Sequence, residues 1–287
     1  MLPDAIETAI TSADRVHVAN LIEQFMERQR ASQPAQYMQN PQEFHTLRRW
    51  LDALPIELIQ QRPLLCLGQA TTLLLVAILE QRPFAPSDIA RMEEGFQLAQ
   101  QGFRAQGDML GLASALILHA TIERHFGHIT EAANAVRQAL EYLPDQDVMW
   151  RSSGLGILGI EELFTGQVEK ALQTALAAHA FCEQLNYPAI MRANTVLLSR
   201  VYYEHGELHL AARHSREMLV SARQEQDYDD IGDAQLGLAQ ISYEWNDLAA
   251  AQQQATEALE MGQRLANEEV QVEATLVLVR IKQAQGK

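Results

Sequence analysis

Between Gly127 and Gly286, apolar and small side chains return in one phase about a series of turn residues. The turns are Gly127, Gly166, Gly206, Asn246 and Gly286, spaced by 39, 40, 40 and 40 residues. Two residues past each of the first four stands an aliphatic side chain (Ile129, Val168, Leu208, Leu248), and five past stands alanine (Ala132, Ala171, Ala211, Ala251). Leu158, Leu198, Leu238 and Leu278 precede their turns by eight residues, and the small residues Ala120, Gly159, Ser199 and Ala239 precede theirs by seven. A fixed period with small residues in register marks stacked helix pairs, each hiding part of its apolar surface and needing a neighbour for the rest. The phase predicts first helices near 109–126, 148–165, 189–205 and 230–245, second helices near 129–142, 167–185, 207–225 and 247–266, and a last first-type helix over about 268–285.

The N-terminal third is less regular. Residues 4–30 read as two helices, with Ser12 or Asp14 capping the second and an apolar stripe of Val16, Ala19, Leu21, Ile22, Phe25 and Met26. Residues 31–41, with Pro34 and Pro41, read as a loop. A helix over 42–54 stops at Pro55, 56–61 forms a short helical turn, and Pro63 opens a helix to about Leu79. Its partner, about 88–104, lies beyond Pro83 and Pro86. The organisation expected is an N-terminal helical cap over 1–62, an irregular repeat over 63–107, regular repeats over 108–147, 148–187, 188–227 and 228–267, and a lone terminal helix over 268–287.

Composition narrows the function. A net charge of −15 argues against this segment gripping a phosphate backbone, since that affinity comes from Lys and Arg replacing counterions. The two cysteines, Cys66 and Cys182, lie in apolar helical contexts, which predicts buried thiols and a reducing, cytoplasmic setting. Met1–Asp4 has neither the basic nor the apolar part of a signal peptide. Residues 64–79 are broken by Gly68, Gln69, Thr71 and Thr72 and fall short of the roughly 20 apolar residues of a membrane span.

The turn pattern, with Ala139, Ala178 and Ala258 twelve past their turns and Pro144 seventeen past the first, resembles the tetratricopeptide repeat, lengthened from about 34 residues to about 40. His119 in place of leucine, Val279 in place of a small residue and Met218 in place of alanine depart from it. His45 to Pro63 (His-Thr-Leu-Arg-Arg-Trp-Leu-Asp-Ala-Leu-Pro-Ile-Glu-Leu-Ile-Gln-Gln-Arg-Pro), followed by Leu64-Leu65-Cys66-Leu67 and Ala70, is similar to the beginning of the sensor region of the large ATP-dependent, MalT-like LuxR-family transcription regulators. Ala5 to Ile10 and Ala19 to Glu23 are similar to the segment that in those regulators lies directly after the nucleotide-binding module and winged helix. The resemblance implies an all-α, right-handed superhelix of antiparallel helix pairs with a period of about 40 residues. It also implies ATPase and DNA-binding domains in a full-length regulator. The chain carries neither a Walker loop nor a basic helix-turn-helix module, so the expectation is an excised sensor segment or an unusual stand-alone relative.

Other motifs carry less. Gly154-Leu155-Gly156-Ile157-Leu158-Gly159 spells a dinucleotide fingerprint, but its phase puts it inside a helix with no strand before it and no acid about 20 residues later, so helix packing is the reading. The histidines at 119, 125 and 128 and at 205, 209 and 214 read as solvated or capping; His205 and His209 straddle a turn, which breaks the spacing a zinc pair needs. Glu161-Glu162 and Asp229-Asp230 read as acidic surface. No nucleophile with a base and no facing carboxylate pair emerges, so the expectation is no enzyme, no cofactor and no metal.

In tetratricopeptide stacks the first helix of each pair lines the inner groove, with positions ten, six, three and two before the turn pointing inward. Carried over by phase, that gives Arg124 and His125, Ile160 and Phe164, Arg200, Tyr203 and Glu204, then Gln240, Tyr243 and Glu244, with Asp233 and Arg280 at the margins. Arginines, tyrosines, amide and acids together suit a polar metabolite whose apolar parts rest on the rings. The expected partner is thus a small inducer or a protein or peptide in the groove; the alternative is a stand-alone scaffold binding a peptide or protein helix.

Overall fold

The computed structural model describes residues 2–12, 14–32, 41–80, 82–185 and 188–286. Among the described residues there are fifteen α-helices and no strand. They are α1 (Leu2–Ile10), α2 (Arg15–Ser32), α3 (Pro41–Asp52), α4 (Ile56–Gln60), α5 (Pro63–Leu79), α6 (Pro86–Gln106), α7 (Met109–His125), α8 (Ile129–Tyr142), α9 (Val148–Phe164), α10 (Val168–Leu185), α11 (Pro188–Glu204), α12 (Leu208–Glu225), α13 (Tyr228–Glu244), α14 (Leu248–Leu265) and α15 (Glu268–Ala284). The predicted helix ends agree to within about two residues. The loop expected over 31–41 falls mostly on residues 33–40, outside the described residues, while Ala31 and Ser32 end α2 and Pro41 opens α3.

The turns explain the period. At Gly127, Gly166, Gly206 and Asn246 the backbone is left-handed, with φ of 80°, 74°, 86° and 59°. In each case the following amide reaches back five residues: His128 N–H to Glu123 O at 2.8 Å, Gln167 to Glu162 at 2.8 Å, Glu207 to Tyr202 at 2.8 Å and Asp247 to Ser242 at 2.9 Å. That pattern satisfies the last carbonyls of a first helix and reverses the chain at once, and it favours glycine or asparagine at the left-handed site.

A second in-phase signal opens the first helices. Asp108, Asp147, Asp227 and Asn267 accept from the backbone N–H three residues on (Gly111, Trp150, Asp230 and Val270) at 2.8, 3.2, 3.2 and 3.2 Å. These caps satisfy amides that the helix itself cannot. Their common phase is a sequence signal independent of the turn glycines, and it marks helix starts where the glycines mark helix ends.

The chain forms two compact units. One comprises residues up to Glu80 together with Phe84–Ile157; the other is Leu158 to the C-terminus with residues 81–83. In the first, the motif of residues 45–63 supplies core: Leu47, Trp50, Leu51, Leu54 and Ile59 are buried with Ile6, Ile22, Leu65 and Phe96. The Trp50 indole donates to Glu7 Oε1 at 2.7 Å, so its one polar atom is satisfied, and Phe25 meets its ring edge-on at 5.2 Å. Pro63 is wedged against Gly102, where an added Cβ would lie 2.2 Å from the proline ring.

In the second unit the in-phase alanines are the contact surface. Ala171, Ala211 and Ala251 are fully buried, as are Ala175, Ala178, Ala255 and Ala258. Small side chains let α10, α12 and α14 approach the leucine and isoleucine faces of α11, α13 and α15 (Leu197, Leu198, Leu238, Ile241, Ile281). No helix among the described residues is long and apolar enough to cross a membrane.

Candidate functional site

The residues assigned to an inner face are on first helices, as the phase required. Arg124 and His125 belong to the last turn of α7 in the first unit. His125 is exposed there and meets Phe84 edge-on at 4.9 Å. The rest are in the second unit: Ile160 and Phe164 on α9, Arg280 on α15, and Arg200, Tyr203, Glu204, Asp233, Gln240, Tyr243 and Glu244 on α11 and α13, where a regular set of contacts links several of them.

Arg200, six before its turn, reaches Asp233, thirteen before the next turn, at 3.4 Å. Gln240, again six before, donates to Glu273, again thirteen before, at 3.2 Å. The same offset on successive first helices therefore makes the same rung. A further rung joins Tyr203 to Glu244, its hydroxyl donating at 3.3 Å. Arg200 also spans to Glu269 on α15 at 2.7 Å. Tyr243 is half-buried and packs against the Leu236, Ala239, Ala274 and Ile281 core, and Glu204 is exposed beside Tyr203.

Carboxylates outnumber cations on this face. Burial alone would lower the affinity of Arg200 for its proton, but Asp233, Glu269 and Glu273 outweigh it and hold the guanidinium charged. Burial pushes the Asp233 carboxyl up to about 7 against the pull of Arg200, with Asp229, Glu269 and Asp230 adding in the same direction. Burial and the adjacent Glu244 push the Tyr203 phenol up to about 12. The surface is one that accepts hydrogen bonds and positive charge.

One cluster escaped the sequence reading. Arg192, one-tenth exposed, pairs with Glu225 at 2.5 Å, with Asp227 at 3.1 Å and with Asp230. Burial pushes Asp230 up to about 7, helped by the charge of Asp227 and opposed by Arg192. An arginine near the start of one first helix, with acids about 35 residues on at the start of the next, is the signal that would have found it.

Three further readings need correction. Asp230 is partly buried in that ion cluster and so is not acidic surface, whereas Asp229 is exposed, as read, and accepts from Asn267 at 3.1 Å. Glu161 and Glu162 are buried, and Glu162 pairs with Lys170 at 3.1 Å, because both lie on the side of α9 that faces protein. His119 stacks on Phe96 at 5.6 Å and His214 on Tyr202 at 5.5 Å; burial lowers the pKa of each, so they serve as flat apolar packing with one polar edge rather than as solvated or capping groups. His205 pairs with Glu169 at 3.0 Å and His209 leans on Trp245 at 5.3 Å. The glycine run over 154–159 lies inside α9, and a Cβ at Gly159 would meet Leu197 at 2.7 Å, which is the close packing its phase implied.

Residues 113–287 match the family described as the MalT-like TPR region. Among solved structures, the chain is similar to one titled "Crystal Structure of Rap Protein Complexed with Competence and Sporulation Factor", with a TM-score of 0.60 and 14% identity over 98% of this chain and 86% of that one. At that identity the likeness is one of fold: all-α, built from tetratricopeptide-like helix pairs. No curated protein sequence matches the chain.

Proposed function

The chain belongs to the MalT-like TPR family, a helical-repeat interaction fold, and from that premise we propose that it is the effector-sensing and protein-interaction region of a MalT-like LuxR-family transcription regulator. In this reading it works in the cytoplasm and by binding, not by catalysis, and the ATPase and DNA-binding modules belong to the full-length regulator. The recognition surface is the inner face of α11, α13 and α15, formed by Arg200, Tyr203, Glu204, Asp233, Gln240, Tyr243 and Glu244; Arg124 and His125 hold the matching positions on α7 within the first unit. The observation that supports this most is the repeated rung, Arg200 to Asp233 and Gln240 to Glu273, which places polar groups at regular intervals along one face.

The excess of carboxylates favours a ligand rich in hydrogen-bond donors or carrying positive charge. A ligand that replaces Arg200 at Glu269 or Asp233 would free the first helices to change spacing. It can switch the regulator only by binding one spacing more tightly than the other. The alternative occupant is a peptide, favoured by the fold-level likeness to a Rap protein solved with Competence and Sporulation Factor bound.

The test is thermal melting against polar metabolites and short basic peptides. A hit whose shift disappears in the Tyr203→Ala and Tyr243→Ala double variant places the ligand on this face. A shift that survives in that variant removes the assignment, and whether metabolite or peptide gives the hit decides between the two occupants.

A further inference from the structure

The first unit contains a cavity of about 150 Å3 that the groove reading does not use. Its floor is apolar and comes from helices distant in sequence: Met26 of α2, Leu47 of α3, Leu67 of α5, Leu118 of α7 and Trp150 of α9. All but the partly buried Trp150 are at most 7% exposed, so the floor is well-packed core. The chamber is partly open, and its wall also carries the polar groups Gln29, Arg30, Ser114 and Asp147.

Two of these polar groups bear opposite charges. Arg30 donates one hydrogen bond to Asp108 at 3.2 Å, and its guanidinium lies over the Phe103 ring at 5.7 Å. Those contacts hold the planar fork in place and leave most of its N–H donors unused among the described residues. Asp147, partly buried at the start of α9, accepts from the Trp150 amide at Oδ1 at 3.2 Å, and its Oδ2 has no donor among the described residues. Burial pushes the Asp147 pKa up against the pull of the Trp150 amide and Arg151, so its carboxylate gains from a donor brought beside it. Arg30 turns to Asp108, and no ion pair joins it to Asp147. A cation and an anion therefore line one small chamber without neutralising each other. Ser114 is engaged elsewhere, donating to the Gly111 carbonyl at 2.9 Å.

Size and charge then define the occupant. An apolar chamber of this volume accepts a group the size of a benzene ring. A ligand with one charge would satisfy either Arg30 or Asp147 and face the other with a like charge, whereas a zwitterion answers both. We propose that this cavity binds an apolar α-amino acid, its side chain seated on the floor, its carboxylate paired with Arg30 and its ammonium with Asp147. Apolar contact supplies much of the affinity, and the two charge-assisted pairs fix the orientation. All the residues involved belong to the first unit, so the site stands whether or not the inner face of α11, α13 and α15 takes a ligand.

The experiment titrates the whole chain by calorimetry with L-phenylalanine, 3-phenylpropionate (which lacks the ammonium), phenethylamine (which lacks the carboxylate) and L-serine (which lacks the apolar side chain). L-Phenylalanine binds more tightly than either single-charge analogue, and L-serine does not bind. Arg30→Gln weakens L-phenylalanine and 3-phenylpropionate by about tenfold, the scale of a hydrogen bond to a charged group, and leaves phenethylamine no weaker. Asp147→Asn, which keeps an oxygen to cap α9, weakens L-phenylalanine and phenethylamine by a similar factor and leaves 3-phenylpropionate no weaker. No binding of L-phenylalanine, equal binding of L-serine, or variants that weaken all three phenyl compounds alike overturns the proposal. The ranking of the four probes on the unaltered chain is readable even if a variant misfolds, and the unliganded melting temperatures of the variants report whether one does.

Discussion

Arg200 and Glu269 stand 2.7 Å apart although 69 residues and a complete helix pair separate them in the chain. The guanidinium of α11 bridges past α13 to α15, taking Asp233 at 3.4 Å on the way. Removing it leaves a partly buried set of like charges without a counterion. Arg200→Met should therefore cost about 1–3 kcal/mol, between the values for a surface pair and a buried one. The loss, read by urea denaturation, should be larger at pH 8 than at pH 5, where the abandoned carboxyls can take protons. Equal loss at both pH values would show that Arg200 acts through packing instead.

The buried acids of the second unit predict an inverted pH profile. In the unfolded chain a carboxyl ionises at about 4, whereas burial holds Asp230 and Asp233 protonated up to about 7. Between those values the folded state binds more protons, so the contribution of these two groups is fully present below about 4 and is lost as pH rises through about 7. Asp108 works the other way: burial opposes ionisation there, but the Gly111 amide and Arg30 together hold its pKa down, so its contribution disappears as pH falls through the acid range. The unfolding free energy read by urea denaturation should fall from pH 5 to pH 7.5, by about 1–2 kcal/mol for each acid after allowance for solvent. Asp233→Asn should flatten that slope.

The thiol of Cys66 should be silent in the native protein. It donates to the Ile59 carbonyl at 3.1 Å, and burial pushes its pKa up to about 11, so little thiolate exists at pH 8. A thiol reagent at pH 8 should label Cys66 only after unfolding, at a rate that follows the denaturant. Prompt labelling of the folded chain would mean that α5 opens locally.

The helices were legible because their ends are set by local chemistry. A left-handed residue is needed at Gly127, Gly166, Gly206 and Asn246, and alanine is needed five residues later, where the first and second helices meet. Gln226 and Ala266 show the limit of that reading: they are also left-handed, with φ of 57° and 54°, and also 40 residues apart, yet neither residue type announces it. That the candidate residues stand on first helices was legible for the same reason as the helices; that they line a binding face is carried over from the tetratricopeptide resemblance. The partners were not. That Arg200 finds Asp233 and Glu269, or that Arg192 gathers Glu225, Asp227 and Asp230, depends on the spacing between helices and on side-chain reach, which a period does not contain. A cavity in the first unit is still further from the sequence, because its wall joins Met26 of α2, Phe44 of α3, Leu67 of α5, Leu118 of α7 and Trp150 of α9.

Two glycine positions separate the packing requirement from the backbone one. At Gly159 the backbone is helical, so alanine would gain about 1 kcal/mol in propensity, but its Cβ would meet Leu197 Cδ2 at 2.7 Å. The expected net effect is a loss of up to about 2 kcal/mol, since overpacking typically costs about 1–3. At Gly206 nothing lies within 4 Å of an added Cβ, and φ is 86°. Gly206→Ala should lose about 1–2 kcal/mol through backbone strain alone. The two losses differ in what relieves them. In a double-mutant cycle, Leu197→Ala should recover part of the Gly159→Ala penalty, because the smaller side chain vacates the space the new methyl needs. It should leave the Gly206→Ala penalty unchanged, because no neighbour causes it. Additivity in both cycles would mean that α9 and α11 part freely at this point and that Gly159 is not held there by packing.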